Sequence, residues 1–396
     1  MVKILLVYFL PVIAGLGFLI LFIQPLNDVA FPKKTVSEPK PEVRYVENFV
    51  NASFFEQRFL KGTDTSETIY LLGSSELSES RDALPYNFIT DHFKTGTIGI
   101  GHAGNQCFSI YSQLLANQSR LKNAPVVIVL SPGWFHSDFA KGTTSDLFLE
   151  FNSPAFLNSI FYNAPESEFK LYEGERIADF YDEIVNPDLS MRLLYMHYQS
   201  SRSPAHKALY APLIAMDNAL NKEKLELTGT RVMSKAPVQR QMIVSAPVTI
   251  DWEKLLRDSK QAQLDASTNN EWGIENSYYT EYSEGKKGKI RPIAPSHNRE
   301  LDDLKMLVKL LKANHVNASF IIMPLNPFYY ENCSDLDPTM STVYKTVQTA
   351  GFPCLNLWDS HIETYEKGVL ADVMHLSDYG WYKADRFIVE TYKLAK

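Results

Sequence analysis

The sequence predicts an α/β protein: a parallel sheet of about five strands with helices on both faces, a helical insertion after strand three, and an N-terminal transmembrane helix. Three observations predict it. Continuous apolar runs of four to six residues recur along the chain, and most stop at glycine, serine or proline. Amphipathic stretches with helical spacing separate several of them. Near the N-terminus lies a segment of twenty residues without a charge.

That segment is Ile4 to Ile23, and as a helix it would cover about 30 Å, the thickness of the hydrocarbon core. A cleaved signal peptide would have a shorter apolar region followed by small residues, whereas Asp28 stands in the following stretch. Residues 1–24 are therefore expected to be an uncleaved anchor. Lys3 lies on one side of the span and Lys33 and Lys34 on the other, so the charge rule is nearly balanced. The three-residue head favours an N-inside, C-outside orientation. Residues 25–45, rich in Pro, Lys and Glu, read as an extracellular linker, and residues 46–396 as the folded domain.

In order, the expected strands are Thr68–Leu72, Thr97–Ile100, Val126–Leu130, Ser319–Met323 and Cys354–Trp358. Before the fourth, Leu301, Leu304, Val308 and Leu311 recur at helical steps, and Tyr379–Leu394 reads as a closing helix. From about 134 to 291 the alternation fails and helical character dominates, which suggests an insertion forming a wall or lid. The charged run EGKKGK at 284–289 reads as a solvated turn, with a phosphate contact as the other reading.

Composition narrows the function. The net charge of −7 argues against a nucleic-acid binder, which needs a basic face, and favours a cationic ligand group. Cys107, Cys333 and Cys354 match neither a zinc site nor a CxxC motif, and an odd count cannot all pair. Aromatic residues make up 12% of the chain, enough for both a core and a groove.

Three short segments carry the candidate chemistry, all at the expected carboxyl ends of strands, where open α/β sheets bind ligands. Gly73-Ser74-Ser75-Glu76-Leu77 offers a tight turn that would project Ser75 as a nucleophile; a helix N-cap is the plainer reading. Asp372-Val373-Met374-His375 offers a base and its orienting carboxylate three residues apart, or a surface Asp and a capping His. An imidazole with its ordinary pKa of about 6.5 would be largely neutral at pH 7. Gly101-His102-Ala103-Gly104-Asn105-Gln106 offers a backbone N–H that could join that of Ser75 in an oxyanion hole, although glycine-rich turns after strands are common.

Serine early, a glycine turn second and Asp-x-x-His near the C-terminus resemble the SGNH (GDSL-like) hydrolase superfamily, with its flavodoxin-like sheet. More closely, the chain resembles the DltD family of teichoic acid D-alanylation in Gram-positive bacteria. The resemblance rests on the anchor, GSSEL at 73–77, GHAGNQ at 101–106, VLSPGWF at 129–135, NNEWGIENSYY at 269–279, MPLNPFYY at 323–330 and DVMHLSDYGW at 372–381. It implies a Ser75–His375–Asp372 triad and D-alanine transfer onto lipoteichoic acid outside the membrane; the oxyanion donors expected from the residues are the Ser75 and Gly104 N–H groups, with the Asn105 side chain as a further candidate. No cofactor or metal is implied. The implied partners are the membrane acyltransferase DltB, a small D-alanyl-carrying membrane peptide and, as a further candidate, the carrier protein DltC. The GxND block of SGNH enzymes is missing, and SPGWF stands in its place. Trp134 is expected to line the acceptor groove, with core packing as the other reading. An esterase or thioesterase of the same architecture, or a non-catalytic scaffold for the machinery, are the competing functions.

Overall fold

In a computed structural model of the chain, six strands form one all-parallel sheet: β1 (Tyr45–Val46), β2 (Thr68–Leu72), β3 (Gly96–Ile100), β4 (Pro125–Leu130), β5 (Asn317–Ile322) and β6 (Cys354–Asn356). Their order is β1-β3-β2-β4-β5-β6. The structure describes residues 68–79, 81–93, 95–152, 157–200 and 249–394, besides Tyr45–Val46 and Leu10, Ala14, Gly15 and Gly17. The expected anchor and linker lie outside the described residues, apart from Leu10, Ala14, Gly15, Gly17 and Tyr45. No helix among the described residues is long and apolar enough to cross a membrane.

Five strands fall on the five apolar runs of the sequence, β2 on the expected bounds and the others with ends shifted by at most two residues. β1 is an addition, two residues paired to β3 at Gly99 and Ile100. β2 and β4 are buried along their whole length because they lie inside the sheet and are covered on both faces. Alternation then divides their side chains. Ile69, Leu71, Val127, Val129 and Ile321 point to one core, with α1 (Pro85–His92) and Trp381, Ala384 and Ile388 of the last helix. Tyr70, Leu72, Ile128 and Phe320 fill the opposite face.

The chain runs β2 to β3 on one side and then crosses to β4 on the other. β2 is therefore the point where strand order reverses, and the loops after β2 and β3 are neighbours there. After β3 come α2 (Cys107–Ala116) and, beyond β4, α3 (Ser145–Phe151). The chain divides into two compact units, and described residues 152–200 fall in the unit without the sheet. There α4 (Glu168–Ala178) is capped by Ser167, whose Oγ accepts the Lys170 N–H, and α5 (Leu189–Ser200) brings Tyr198 against Phe161.

Residues 134–151 and 249–291, read as part of one insertion, belong instead to the sheet's unit. They include α6 (Trp252–Asp265). EGKKGK is the expected solvated turn, with its charged residues exposed, and it is tied down on one side: the Gly288 N–H donates to Tyr329 O, and Lys287 Nζ lies 4.8 Å above the Trp272 ring. The sheet's unit is completed by α7 (Arg299–Ala313), α8 (Asp337–Ala350) and α9 (Asp378–Tyr392).

Glu366 ties three of these parts together. Its carboxylate accepts from Lys260 on α6 (2.9 Å) and from Tyr379 and Lys383 on α9. Burial pushes its pKa up, but the hydrogen bonds from Lys383, Tyr379 and Lys260 outweigh this and hold it down at about 2. A depressed carboxylate stabilises the fold above its unfolded pKa and loses that contribution as pH falls through the folded value. Glu366→Gln is expected to cost about 1–2 kcal/mol at pH 7, allowing for solvent screening of a partly exposed cluster. Urea unfolding should give a smaller difference from wild type at pH 3.5 than at pH 7; equal stability at pH 7 would contradict the role.

Candidate active site

The serine turn is built by the chain's own backbone. Gly73 ends β2 with its N–H donating to Ile100 O at 3.1 Å, and a single 3-10 turn, Ser75–Leu77, follows. The Glu76 carboxylate folds back under the turn and accepts the Ser74 N–H at 2.7 Å. Burial pushes the Glu76 carboxyl up, against the N–H groups of Ser74 and Glu76 and the His375 charge that pull it down. Ser75 stands at the first position of the turn, where the N–H has no helical acceptor. Among the described residues that N–H has no partner.

The second loop fixes the first. Ser74 Oγ donates to His102 O and accepts the Gly104 N–H, both at 3.1 Å. Asn105 Nδ2 donates to Gly73 O at 2.8 Å, while its Oδ1 accepts from Gln113 Nε2. Gly104 adopts φ +92°, which suits glycine, and a Cβ there would strike Leu147. Of the expected oxyanion donors, the Gly104 N–H and the Asn105 amide are thus engaged in bracing the turn. The Ser75 N–H is the donor left open.

Asp372 and His375 lie between the edge strand β6 and α9, and other segments hold their loop. Asn326 N–H donates to Val373 O (3.0 Å), and Glu275 N–H to Ala371 O (2.8 Å). Asn326 Nδ2 also binds Trp272 O, which joins the two supporting segments. Within the loop, Asp372 Oδ1 accepts the N–H groups of Met374 (2.7 Å) and His375 (2.6 Å). Its Oδ2 meets His375 Nδ1 at 2.7 Å, and His375 Nε2 meets Ser75 Oγ at 3.1 Å. The three side chains chosen from sequence therefore form one hydrogen-bonded line. In the neutral ring, with Nδ1–H facing the carboxylate, Nε2 is the nitrogen left to accept the serine proton.

Trp134 is a different matter. It follows β4 in the turn Pro132–Phe135 but is 6% exposed, with its ring beside Phe135. The structure gives the ring to the interior rather than to a groove.

Sequence reasoning missed Glu79 and Arg81. Glu79 Oε1 lies 3.8 Å from His375 Nδ1, and Oε2 pairs with Arg81 Nε at 2.5 Å. Arg81 continues to Glu275 (2.9 Å) and Asp378 (3.6 Å). The signal was present in the GSSELSESR run, where Glu79 comes one turn after Ser75. Glu79, Asp372 and His375 form the one group among the described residues with three metal-type ligand atoms within 4.8 Å. Arg81 already supplies a cation there, and Nδ1 is committed to Asp372, so the donor set suits proton transfer better than metal binding. A cavity of 690 Å³ has Arg81, Glu275 and Asp378 in its lining, but not Ser75 or His375.

A family model described as DltD protein matches residues 44–393. The chain belongs to the DltD family. It is 23% identical to Protein DltD of Staphylococcus aureus (strain NCTC 8325 / PS 47), over 97% of this chain and 96% of that one. With Protein DltD of Bacillus subtilis (strain 168) it shares 24% identity, over 88% of each chain.

The charges around this DltD-family serine change one expectation. Burial pushes the His375 pKa down, but the Asp372 hydrogen bond and charge, followed by Glu79 and Glu76, outweigh it and lift the imidazole to about 9. The resting imidazole at pH 7 is then charged rather than largely neutral. NMR titration of the His375 ring should give a midpoint near 9. A midpoint at the ordinary value of about 6.5 would contradict the electrostatic reading.

Proposed function

We propose that this chain is a membrane-anchored serine O-acyltransferase that moves D-alanine onto lipoteichoic acid outside the cell. The Ser75–His375–Asp372 hydrogen-bonded line is the single observation that carries the reading. DltD family membership supplies the D-alanylation context. The uncharged stretch from Ile4 to Ile23 supports an anchor.

In the mechanism, neutral His375 accepts the Ser75 proton at Nε2 as Oγ bonds to the D-alanyl carbonyl carbon. The Ser75 N–H faces the oxyanion. When the tetrahedral intermediate collapses, the bond to the donor breaks and its oxygen or sulfur takes the proton from His375. A hydroxyl of the polymer then attacks the acyl-serine, losing its proton to His375, and that proton returns to Ser75 Oγ. Asp372 keeps Nδ1–H oriented and balances the imidazolium. Each acyl transfer needs a neutral imidazole, so turnover should rise with pH up to the His375 midpoint. The partners that fit are DltB, the D-alanyl-carrying membrane peptide and DltC.

Cells whose only copy carries Ser75→Ala are expected to lose teichoic acid D-alanine esters by about a hundredfold or more, with normal protein levels. His375→Ala should be as damaging, and the double variant no worse, because members of a triad act as a unit. Asp372→Ala should be milder. Normal ester content in the Ser75→Ala cells would instead favour a non-catalytic scaffold.

A further inference from the structure

We propose that Glu79 is a second positioning carboxylate for His375, sharing the Nδ1 side of the imidazole with Asp372. The inference rests on the reading of Ser75 and His375 as nucleophile and base.

Both carboxylates are built alike. Asp372 spends Oδ1 on two backbone N–H groups and leaves Oδ2 on the imidazole. Glu79 spends Oε2 on Arg81 and leaves Oε1 facing the same nitrogen, 3.8 Å away. That distance is too long for a hydrogen bond and short enough for a strong charge interaction. Glu79 is also held in place, because Tyr86 Oη donates to its backbone carbonyl at 3.0 Å. A purely structural ion pair would need none of this, since Arg81 already has Glu275 and Asp378 as partners.

The other charged and titratable groups around the ring do not duplicate this role. Glu76 acts on His375 through charge alone, with Oε1 committed to the Ser74 N–H. The phenols of Tyr278, Tyr330 and Tyr365 lie within electrostatic reach of Asp372, and each is held above its ordinary pKa, so they remain neutral. Glu79 is thus placed, beside Asp372, to stabilise the imidazolium formed when Ser75 is deprotonated. It is also the carboxylate to which Nδ1–H turns when Asp372 is lost.

The test is the rate at which a fluorophosphonate probe labels Ser75 in the purified full-length protein in detergent, measured across pH. Glu79→Gln keeps the shape and an acceptor for Arg81 but removes the charge. It should lower the limiting rate at high pH about three- to tenfold and move the midpoint to lower pH by roughly one unit. Glu79→Asp retains the charge and should keep its midpoint within about half a unit of wild type. Asp372→Asn should leave residual labelling that Glu79→Gln reduces about tenfold further. The proposal is overturned by a Glu79→Gln profile that matches wild type together with a double variant no slower than Asp372→Asn. It is also overturned if Glu79→Asp shifts the midpoint as far as Glu79→Gln. If Ser75→Ala labels as fast as wild type, the catalytic reading itself fails, which is a separate result.

Discussion

The loops after β2 and β3 approach so closely that a Cβ on Gly101 would come within 2.3 Å of Gly73 O. Only glycine fits there, and the site's geometry follows from that contact. It lets Ile100 O reach the Gly73 N–H and lets Asn105 reach Gly73 O. The chain must then leave β2 in a single tight turn, which puts Ser75 at its first position. Glu76, buried beneath, and Ser74, bridging His102 and Gly104, close the turn from inside and from the side. A serine on a looser turn would sample many orientations, and only a few would meet a base on another loop.

The second half of the site has to reach back across the sheet. β6 is separated from β2 by β4 and β5, yet His375 meets Ser75 three hundred residues later in sequence. The loop does this with the help of Asn326 and Glu275, whose backbone N–H groups carry Val373 and Ala371. This gives a physical role to segments that contain no reacting group. NNEWGIENSYY and MPLNPFYY form the scaffold that holds the loop carrying His375. Three carboxylates then gather around one imidazole, and the same charges would favour a substrate bearing an ammonium.

Much of this was legible in the sequence because it is local. Strands buried on both faces must be unbroken apolar runs, so TIYLL and PVVIVL declare themselves. A nucleophile needs a turn after a strand, and an orienting carboxylate near its base can be close in sequence, so Ser75, Asp372 and His375 could be picked out as candidates, and the fold brings their side chains together. What could not be read depends on residues brought together from afar. Gly104 and Asn105 carry donors in the right loop, but only the fold reveals that Ser74 and Gly73 take them. Trp134 looks like a groove residue until its burial is known. The His375 charge escaped for the same reason, since Glu79 and Asp372 come from opposite ends of the domain. β1 is two residues long and carries no periodic signal at all.

The central claim is that Ser75 carries the acyl group in transit. The most direct measurement is the intact mass of the purified protein after brief exposure to the D-alanyl-charged membrane peptide and acid quenching, with the modified residue located by fragmentation. The account predicts a single added D-alanyl group on Ser75, absent from Ser75→Ala and removed when polymer acceptor is supplied. A protein that supports transfer at the normal rate while no adduct ever forms on Ser75 would contradict it.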